Sequence, residues 1–288
     1  MPELPEVETI ARELQAVMPA SRITALQVGL PKMVKIPLRR FRSRVIGSRI
    51  RKVHRRAKLL LIDLSSGQTI VIHLKMAGQL IWRSSAGRFR VGGHPIPGGT
   101  DNLPNKYSHV IFVTSRGTLF FNDQRQFGFV KLVPTAILEA WLEDQGYGPE
   151  PLSDDFTLTV FETIMRRHRA KRVKPTIMDQ TVIAGVGNIY ADEALFYARV
   201  RPTRRIKTMT PAERRRLWEG IRHVMNLSIR HKGTTADTYR TATGQKGAMM
   251  RFLRVYGRTT LPCKRCPGTI KKIVLAGRGT HYCPDCQR

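Results

Sequence analysis

The first nine residues, MPELPEVET, place a proline among several carboxyl groups, a combination suited to covalent chemistry. If Met1 is removed, Pro2 carries the free amino group, and an α-amine pKa near 7.7–8.0 leaves a useful fraction neutral at pH 7. Such an amine can attack an aldehyde-like carbon to form an iminium ion, while Glu3 or Glu6 protonates a sugar oxygen. The nonapeptide alone favours a plainer alternative, a helix N-terminus carrying favourable acids.

The four cysteines form two Cys-x-x-Cys pairs, Cys263 with Cys266 and Cys283 with Cys286. Sixteen residues separate the pairs, a spacing typical of one tetrahedral zinc ion held by two tight turns. Two disulfides are the alternative, which an intracellular chain with no other cysteine disfavours. Four thiolates leave no coordination position for water, so we expect one structural zinc ion per chain.

The elements that must position these groups fall into two parts. Apolar residues from Val7 to Val17 recur at helical spacing, which predicts one helix after the opening residues. Residues 22–130 then read as strands, because LLLIDLSSGQTIVIHL and HVIFVTSRGTLFFND each join two apolar runs by a turn. This pattern predicts a β-sandwich or barrel-like domain, interrupted at 84–105 by a Gly- and Pro-rich loop.

The C-terminal part reads as helical after a linker at about 145–155, QGYGPEPLSDD. A capping box, Thr210-Pro211-Ala212-Glu213, predicts the start of the clearest helix. An earlier Gly-x-Gly-Asn turn, in GVGN, precedes another predicted helix. The sequence therefore predicts an α+β protein whose four-cysteine segment follows the helices.

The charge indicates the class of partner. With 50 Lys+Arg and 21 Asp+Glu, the net charge is +29 at pH 7, and phosphate neutralisation makes nucleic acid the leading partner. The 7% aromatic content argues against a large stacking platform for single strands. We find no run of 18 apolar residues and no basic-then-apolar leader, and we expect an intracellular protein with no membrane partner. A generally basic surface without a specific partner is the alternative.

Five motifs occur in one order: MPELPEVET, RRAKLLL at 55–61, HLKMAG at 73–78, GVGNIYADE at 185–193, and a finger containing GRGTHYC. Together they closely resemble the Fpg family, the formamidopyrimidine-DNA glycosylases, over essentially the whole chain except 84–105. The resemblance implies an α+β fold with three domains. These are an N-terminal catalytic β-sandwich with an N-terminal helix (1–148), a helix-two-turn-helix domain (149–250) and a four-cysteine zinc-finger hairpin (251–288).

The resemblance also implies a bifunctional DNA glycosylase and AP lyase. It would excise oxidised purines such as 8-oxoguanine and formamidopyrimidines, then cut the strand by β- and δ-elimination. Damaged double-stranded DNA would lie in the cleft between the β domain and the helical domain, and the enzyme would act as a monomer in the bacterial cytosol or nucleoid.

Two alternatives stay open. The endonuclease VIII branch prefers oxidised pyrimidines, but it typically has Gly where this chain has Leu4 and lacks the Met/Arg/Phe trio described below. A non-catalytic DNA-binding paralogue is the other alternative, and the intact Pro2, Glu3 and Lys58 argue against it.

By resemblance, Pro2 is the nucleophile, Glu3 the proton donor to the opening sugar, and Glu6 a second active-site carboxylate. Lys58 matches the lysine that reaches the lesion and its phosphate. Arg278 matches the finger arginine that holds phosphates and is associated with the last elimination.

The resemblance assigns further DNA contacts. Met76, Arg125 and Phe127 match a trio that fills the space left by a flipped base, although composition alone favours a core Met and a strand-end Phe. A loop at about 240–251 would close over that base. Tyr107 stands where the family has a DNA-contacting histidine. The remaining expected contacts are His73, Arg169, Lys174, Asn188, Tyr256 and Lys272.

Overall fold

The structure is a computed structural model that describes residues 2–94, 99–100, 102–233 and 248–288. Its helices are α1 (Leu4–Gln15), α2 (Leu38–Val45), α3 (Leu138–Asp144), α4 (Leu158–Arg167), α5 (Val173–Met178), α6 (Asn188–Ala198) and α7 (Pro211–Arg230). Its strands are β1 (Ile23–Val28), β2 (Ile50–Arg56), β3 (Leu59–Leu64), β4 (Gln68–His73), β5 (Gly78–Ser84), β6 (Phe89–Gly93), β7 (Ser108–Thr114), β8 (Gly117–Asp123), β9 (Phe129–Pro134), β10 (Lys271–Leu275) and β11 (Arg278–Tyr282).

The chain divides into two compact units. The first comprises the described residues within 1–145 and 231–248, and the second comprises 146–230 and 249–288. The predicted α+β class is confirmed, with a β-sandwich in the first unit and helices plus a finger hairpin in the second. The predicted domain boundaries at 148/149 and 250/251 stay predictions.

The first unit is built from two antiparallel sheets. One has the strand order β1-β7-β8-β5-β6 and the other β2-β3-β4-β9. The two predicted hairpins are present as β3–β4 and β7–β8. Apolar residues of both sheets, including Leu60, Ile72, Leu80 and Phe121, form one core. This core fixes the ends of the strands from which the candidate DNA-facing side chains project.

Helix α1 joins this core through its apolar face, which includes Val7, Ile10 and Leu14. Its close approach to β6 depends on Gly92, because a Cβ there would lie 2.1 Å from the Ile10 side chain. The helix that begins at the candidate reactive residues is therefore packed against the sandwich.

Two elements of the first unit differ from the sequence-based expectation. Strand β6 occupies part of the predicted 84–105 loop, since Phe89–Gly93 pairs with β5 through the register Arg83↔Phe89 to Gln79↔Gly93. Helix α2 lies in a region read as strands, where Phe41 and Val45 turn inward while arginines cover the exposed face. Four-residue spacing of two apolar side chains is too short a signal to separate a helix from a strand.

The second unit contains the predicted capped helix. Thr210 N–H donates to Glu213 Oε2 at 2.8 Å and Glu213 N–H donates to Thr210 Oγ1 at 3.2 Å, which is the predicted capping box of α7. Helices α5 and α6 are joined by two turns in which Gln180 binds the backbone of Met178, Gly185 and Val186. The finger is the hairpin β10–β11 with its four cysteines.

A search of the described residues finds no helix whose length and apolarity would suffice for a membrane crossing.

Candidate functional site

The start of α1 holds the first group of candidate reactive residues. Pro2 is buried and Glu3, the N-cap residue, is only 3% exposed. Glu6 Oε2 accepts the backbone N–H of Glu3 at 2.9 Å as part of a capping box. The capping geometry therefore holds the Glu6 carboxylate against the backbone next to Pro2, so the acids and the proline predicted from the opening motif lie together.

The third acid of the opening motif has a different role. Glu8 accepts hydrogen bonds from Arg12 Nε and Arg55 Nε, both at 2.6 Å. Arg55 belongs to β2, so this partly buried ion pair ties α1 to the sandwich. Glu8 is thus an anchor of the helix that carries Glu3 and Glu6.

Lys58 lies in the tight turn between β2 and β3, where the preceding Ala57 adopts a positive φ of 53°. Its side chain is mostly buried, at 6% exposed. Leu59 pairs with His73 across β3 and β4, which brings Lys58 and His73 to the same end of the sheet. The cationic end of this sheet therefore combines the two predicted contacts.

His73 is neutral in this setting. Burial, together with the positive charges of Lys75 and Lys58, lowers its pKa to about 3. Its Nδ1 is bonded to the backbone N–H of Lys75 at 2.9 Å, which assigns the ring proton to Nε2. The ring is then a neutral donor, suited to a phosphate oxygen without titrating near pH 7.

A loop at 123–128 carries two of the three expected hole-filling residues. Asp123, which is fully buried, accepts the N–H of Arg125 at 2.9 Å and that of Gly128 at 2.7 Å. Phe127 is 55% exposed, and the guanidinium of Arg125 lies 4.9 Å from the centre of its ring. The ring of Phe127 faces solvent just before β9, so both the strand-end position that composition favours and a DNA contact stay open for it.

Met76 and Tyr107 are half-buried. Met76 lies in the turn that follows His73, closed by the N–H of Gly78 on the carbonyl of Leu74 at 2.9 Å. The Tyr107 carbonyl accepts the N–H of Asp123 at 3.0 Å, so Tyr107 borders the 123–128 loop. The predicted DNA contacts of both residues stay predictions.

In the second unit, Asn188 is the first residue of α6. Its Nδ2 donates to the carbonyl of Gly279 at 2.9 Å, and its Oδ1 accepts from Lys174 Nζ at 2.8 Å. Gly279 follows Arg278 in β11, so the helix start and the finger hairpin are bonded to each other directly.

The structure corrects the expectation that Lys174 contacts DNA. Its side chain is 1% exposed, and its ammonium group lies 2.7 Å from Asp192 Oδ1 and also donates to Asn188, Thr280 and the Gly279 carbonyl. Asp192 Oδ2 in turn accepts the N–H of His281 at 2.8 Å. A buried cation paired this way fastens α5 and α6 to β11 instead of reaching a phosphate.

Glu193, the next residue of α6, holds the chain that leads into the finger. Its carboxylate accepts the backbone N–H groups of Arg254, Val255 and Tyr256 at 2.8, 2.9 and 2.9 Å. Burial raises the Glu193 pKa, although these three bonds favour the charged form. The ring of Tyr256 packs edge-on against His281 at 4.9 Å, so Asp192 and Glu193 together position both sides of the finger.

Arg278 and Lys272 are exposed on the finger. The turn between β10 and β11 places Ala276 and Gly277 at φ values of 47° and 72°, and Arg278 begins the return strand. Lys272 pairs with His281, and its Cε lies near Gly279, where an added Cβ would meet it at 3.1 Å. Arg169 is also exposed, just after α4, and its backbone carbonyl accepts the N–H of Lys207 at 2.8 Å.

The four cysteines fit a zinc ion. Their sulfur atoms all lie within 4.8 Å of one another, with Cys263 to Cys286 at 3.8 Å and Cys266 to Cys283 at 3.5 Å. Zn–S bonds of about 2.3 Å in a tetrahedron place sulfurs about 3.8 Å apart. All four cysteines are free of disulfides, so this donor set forms one closed, structural site.

Sequence reasoning missed Asp123, Asp192 and Glu193 as positioning groups. Asp192 and Glu193 stand inside the quoted motif GVGNIYADE, but their partners lie outside it, at Lys174 and in the segment 254–281, which a motif does not reveal. The only available signal was the placement of adjacent acids on an otherwise apolar helix. Of the expected 240–251 loop, residues 240–247 lie outside the described part of the chain.

Three family models match the chain. The formamidopyrimidine-DNA glycosylase N-terminal domain matches residues 1–130, and the H2TH domain of the same glycosylase matches 147–240. A zinc finger found in FPG and IleRS matches 261–288, the segment containing the four cysteines.

Relatives match over the full length. Formamidopyrimidine-DNA glycosylases of Pelotomaculum thermopropionicum and Herpetosiphon aurantiacus are 43% and 41% identical, with 100% of this chain and 99% and 100% of theirs covered. A Lactococcus lactis FPG mutant in complex with Fapy-dG-containing DNA has a TM-score of 0.89 at 31% identity. MutM in complex with carbocyclic 8-oxo-G-containing DNA has a TM-score of 0.87 at 31% identity, and both structures cover 100% of each chain.

Proposed function

The chain belongs to the formamidopyrimidine-DNA glycosylase family and is an Fpg-type DNA glycosylase, and from that premise we propose its substrates and chemistry. It excises oxidised purines, 8-oxoguanine and formamidopyrimidines, from duplex DNA and then cuts the strand as an AP lyase. The observation that carries the proposal is the buried start of α1, where Pro2 adjoins the Glu3 and Glu6 carboxyl groups.

Pro2 is the nucleophile once Met1 has been removed. Its secondary amine attacks C1′ of the damaged nucleotide, the N–C1′ bond forms, and the glycosidic bond breaks as the base leaves. Opening of the sugar ring then gives an iminium ion between Pro2 and C1′. Loss of a C2′ proton breaks the C3′–O3′ bond, and loss of a C4′ proton breaks the C5′–O5′ bond, after which water releases the enzyme.

Glu3 donates the proton that the sugar oxygen O4′ receives as the ring opens. Its position at the buried N-cap of α1, next to Pro2 in the chain, supports this role. Glu6 keeps the Glu3 backbone in place through its bond to the Glu3 N–H. The two carboxyl groups thus have separate tasks, one in proton transfer and one in positioning.

Cationic and neutral donors hold the phosphates. Lys58 and His73 act in the first unit, with His73 donating through Nε2, and Asn188, Tyr256, Lys272 and Arg278 act in the second. Arg169 contributes a more peripheral contact. Met76, Arg125 and Phe127 fill the space that the flipped base leaves, with Tyr107 beside them, and the exposed Phe127–Arg125 pair supports that task.

The four cysteines bind zinc, which supplies no chemistry to the reaction and stabilises the hairpin that presents Arg278. We further propose that the enzyme works as a monomer in the bacterial cytosol or nucleoid, where its DNA substrate is found. Cell fractionation and light scattering would test these two points, and a membrane-bound or dimeric protein would contradict them.

Borohydride trapping tests the proposed function. Wild-type protein should form a covalent adduct on 8-oxoguanine duplex, mapped by mass spectrometry to the Pro2 nitrogen, and much less on undamaged or oxidised-pyrimidine duplex. A Met1-retaining form, whose Pro2 nitrogen is an amide, is the matched control and should not trap. An adduct mapped to a lysine, or equal trapping by the Met1-retaining form, would contradict the nucleophile, and preference for oxidised pyrimidines would contradict the substrate.

A further inference from the structure

Helix α2 carries a cationic surface that the proposed function leaves unused. From position 14 to 62 the sequence contains thirteen Lys and Arg residues and no Asp or Glu. Phe41 and Val45 are fully buried and anchor α2 to the sandwich core. The rest of the helix surface exposes four arginines, which together with Ser43 and Ile46 we call the α2 surface: Arg39, Arg40, Arg42 and Arg44.

These charges are uncompensated within the described part of the chain. No described carboxylate lies within the 4.0 Å ion-pair distance of any of the four guanidinium groups. Arg40 and Arg44 are one helical turn apart, where like charges destabilise a helix. The N-cap, Pro37, makes no side-chain capping bond and the first turn has no acid. The helix therefore carries repulsion that a bound polyanion would relieve.

The α2 surface lies at the far end of the sheet from Lys58. Lys58 precedes β3, whereas Ser66 follows it in the β3–β4 turn and donates from Oγ to the carbonyl of Arg44 at 3.0 Å. A six-residue strand is about 20 Å long at about 3.3 Å per residue. This separation exceeds two Debye lengths of about 8 Å each at physiological salt. The α2 charges therefore contribute little to holding a duplex at Lys58.

The local shape suits a nucleic-acid backbone. Arg39, Arg42, Ser43 and Ile46 line a shallow, open recess. Two guanidinium forks beside a hydroxyl match the bidentate geometry with which Arg binds phosphate. Ile46 is 41% exposed at the edge of the recess, where it can contact a sugar. The charge and the geometry of the α2 surface thus both favour a nucleic-acid backbone as the ligand.

We propose that the α2 surface binds the backbone of a second duplex segment while the first occupies the Pro2–Lys58 region. The enzyme then passes directly from one DNA segment to another without first entering solution. This inference rests on the proposed function, because the first segment is the lesion-containing substrate. It assigns no base recognition to α2, since phosphate contacts carry no sequence information directly.

Competitor-dependent dissociation tests the proposal. Full-length protein is bound to a short labelled duplex with a non-cleavable abasic analogue, and unlabelled undamaged duplex is added at increasing concentration. Direct transfer predicts that the observed dissociation rate rises with competitor concentration. The variant R39Q/R40Q/R42Q/R44Q should show a constant rate, and the charge-retaining R39K/R40K/R42K/R44K variant should keep a competitor-dependent rate with a slope between those of wild type and the Gln variant, because Lys retains the charge but not the bidentate fork. The salt slope of second-segment binding should flatten by about 3–4 in the Gln variant.

Single-turnover excision from a short 8-oxoguanine duplex accompanies each measurement and should be the same in all three proteins. A wild-type rate independent of competitor, or equal competitor dependence in the Gln variant, would overturn the inference. Loss of excision in wild type would instead overturn the proposed function, so the two failures are distinguishable. Because the wild-type measurement alone can refute direct transfer, the test does not depend on the Gln variant folding.

Discussion

In the first unit, several hydrogen bonds that hold the candidate reactive groups span few residues: three from Glu3 to Glu6, two from His73 to Lys75 and five from Asp123 to Gly128. In the second unit, most of the bonds around the candidate phosphate ligands span 61–106 residues, as in Glu193 to Arg254 and Lys174 to Thr280, beside the shorter bond from Lys174 to Asn188. Local bonds leave each reactive group adjustable by itself, whereas the long-range bonds make Asn188, Tyr256 and the finger one assembly. Mutant proteins altered in the two regions should therefore show their defects in different assays.

Glu3→Gln should have the largest effect, on chemistry alone. The amide keeps the shape of the side chain but cannot donate the carboxyl proton, so single-turnover excision should fall by about 10²- to 10⁴-fold. Affinity for damaged duplex should stay near that of wild type, and pre-formed abasic sites, which need no base departure, should be cut with a smaller loss. If Glu3→Gln instead abolished binding, the separation between a chemical region and a binding region would be wrong.

Asp192→Asn should break the long-range assembly. It leaves the buried Lys174 ammonium without its anionic partner, which costs about 3–5 kcal/mol in unfolding free energy. Urea unfolding provides the measurement, and Glu162→Gln is the matched control, because its ion pair with Arg214 is partly exposed and should contribute about 1 kcal/mol or less. Equal losses in both variants would show that the buried network contributes no more to the unfolding free energy than a partly exposed ion pair does.

His73 should give the first unit a pH dependence of stability below neutrality. The unfolded imidazole binds a proton near pH 6.5 and the folded one near pH 3, so the unfolded state binds more protons between these values. Stability should therefore fall as pH drops from 6.5 toward 3, by up to about 1.4 kcal/mol per pH unit.

His73→Asn, whose Oδ1 can still accept the Lys75 N–H, should flatten this slope. An NMR titration of the His73 ring provides an independent check. Protonation of the ring above pH 5 in the folded protein would contradict the neutral donor assigned here.

Lys272→Ala should have the smallest effect. It removes one exposed cation from the finger, so affinity should fall equally for damaged and undamaged duplex and the salt slope should flatten by about 1. Salt-titrated binding measures both quantities, with Lys207→Ala as a comparison in the same unit. A loss confined to damaged DNA would show that Lys272 takes part in lesion recognition.

The same difference in sequence separation between bonded residues explains which features the sequence could predict. The α+β class, the two hairpins and the α7 capping box follow from patterns within about twenty residues, and the opening motif brought Pro2, Glu3 and Glu6 together correctly. The zinc site follows from the cysteine spacing. Lys174 was misassigned because a lysine in a basic stretch looks exposed until its partner Asp192 is placed beside it by folding. Asp123 went unnoticed for a simpler reason, as an acid at a strand end usually faces solvent.

The three hydrogen bonds that the Glu193 carboxylate accepts from residues 254–256 have a consequence for the rate at which amide protons exchange with solvent. Residues 254–256 belong to no helix or strand, yet all three of their N–H groups donate to one buried carboxylate. Amide exchange requires the donor to be released, so these protons can exchange only when α6 and this segment separate. We expect them to exchange as slowly as amides inside α6 itself, which would let deuterium uptake at three consecutive positions report the opening of the whole finger support.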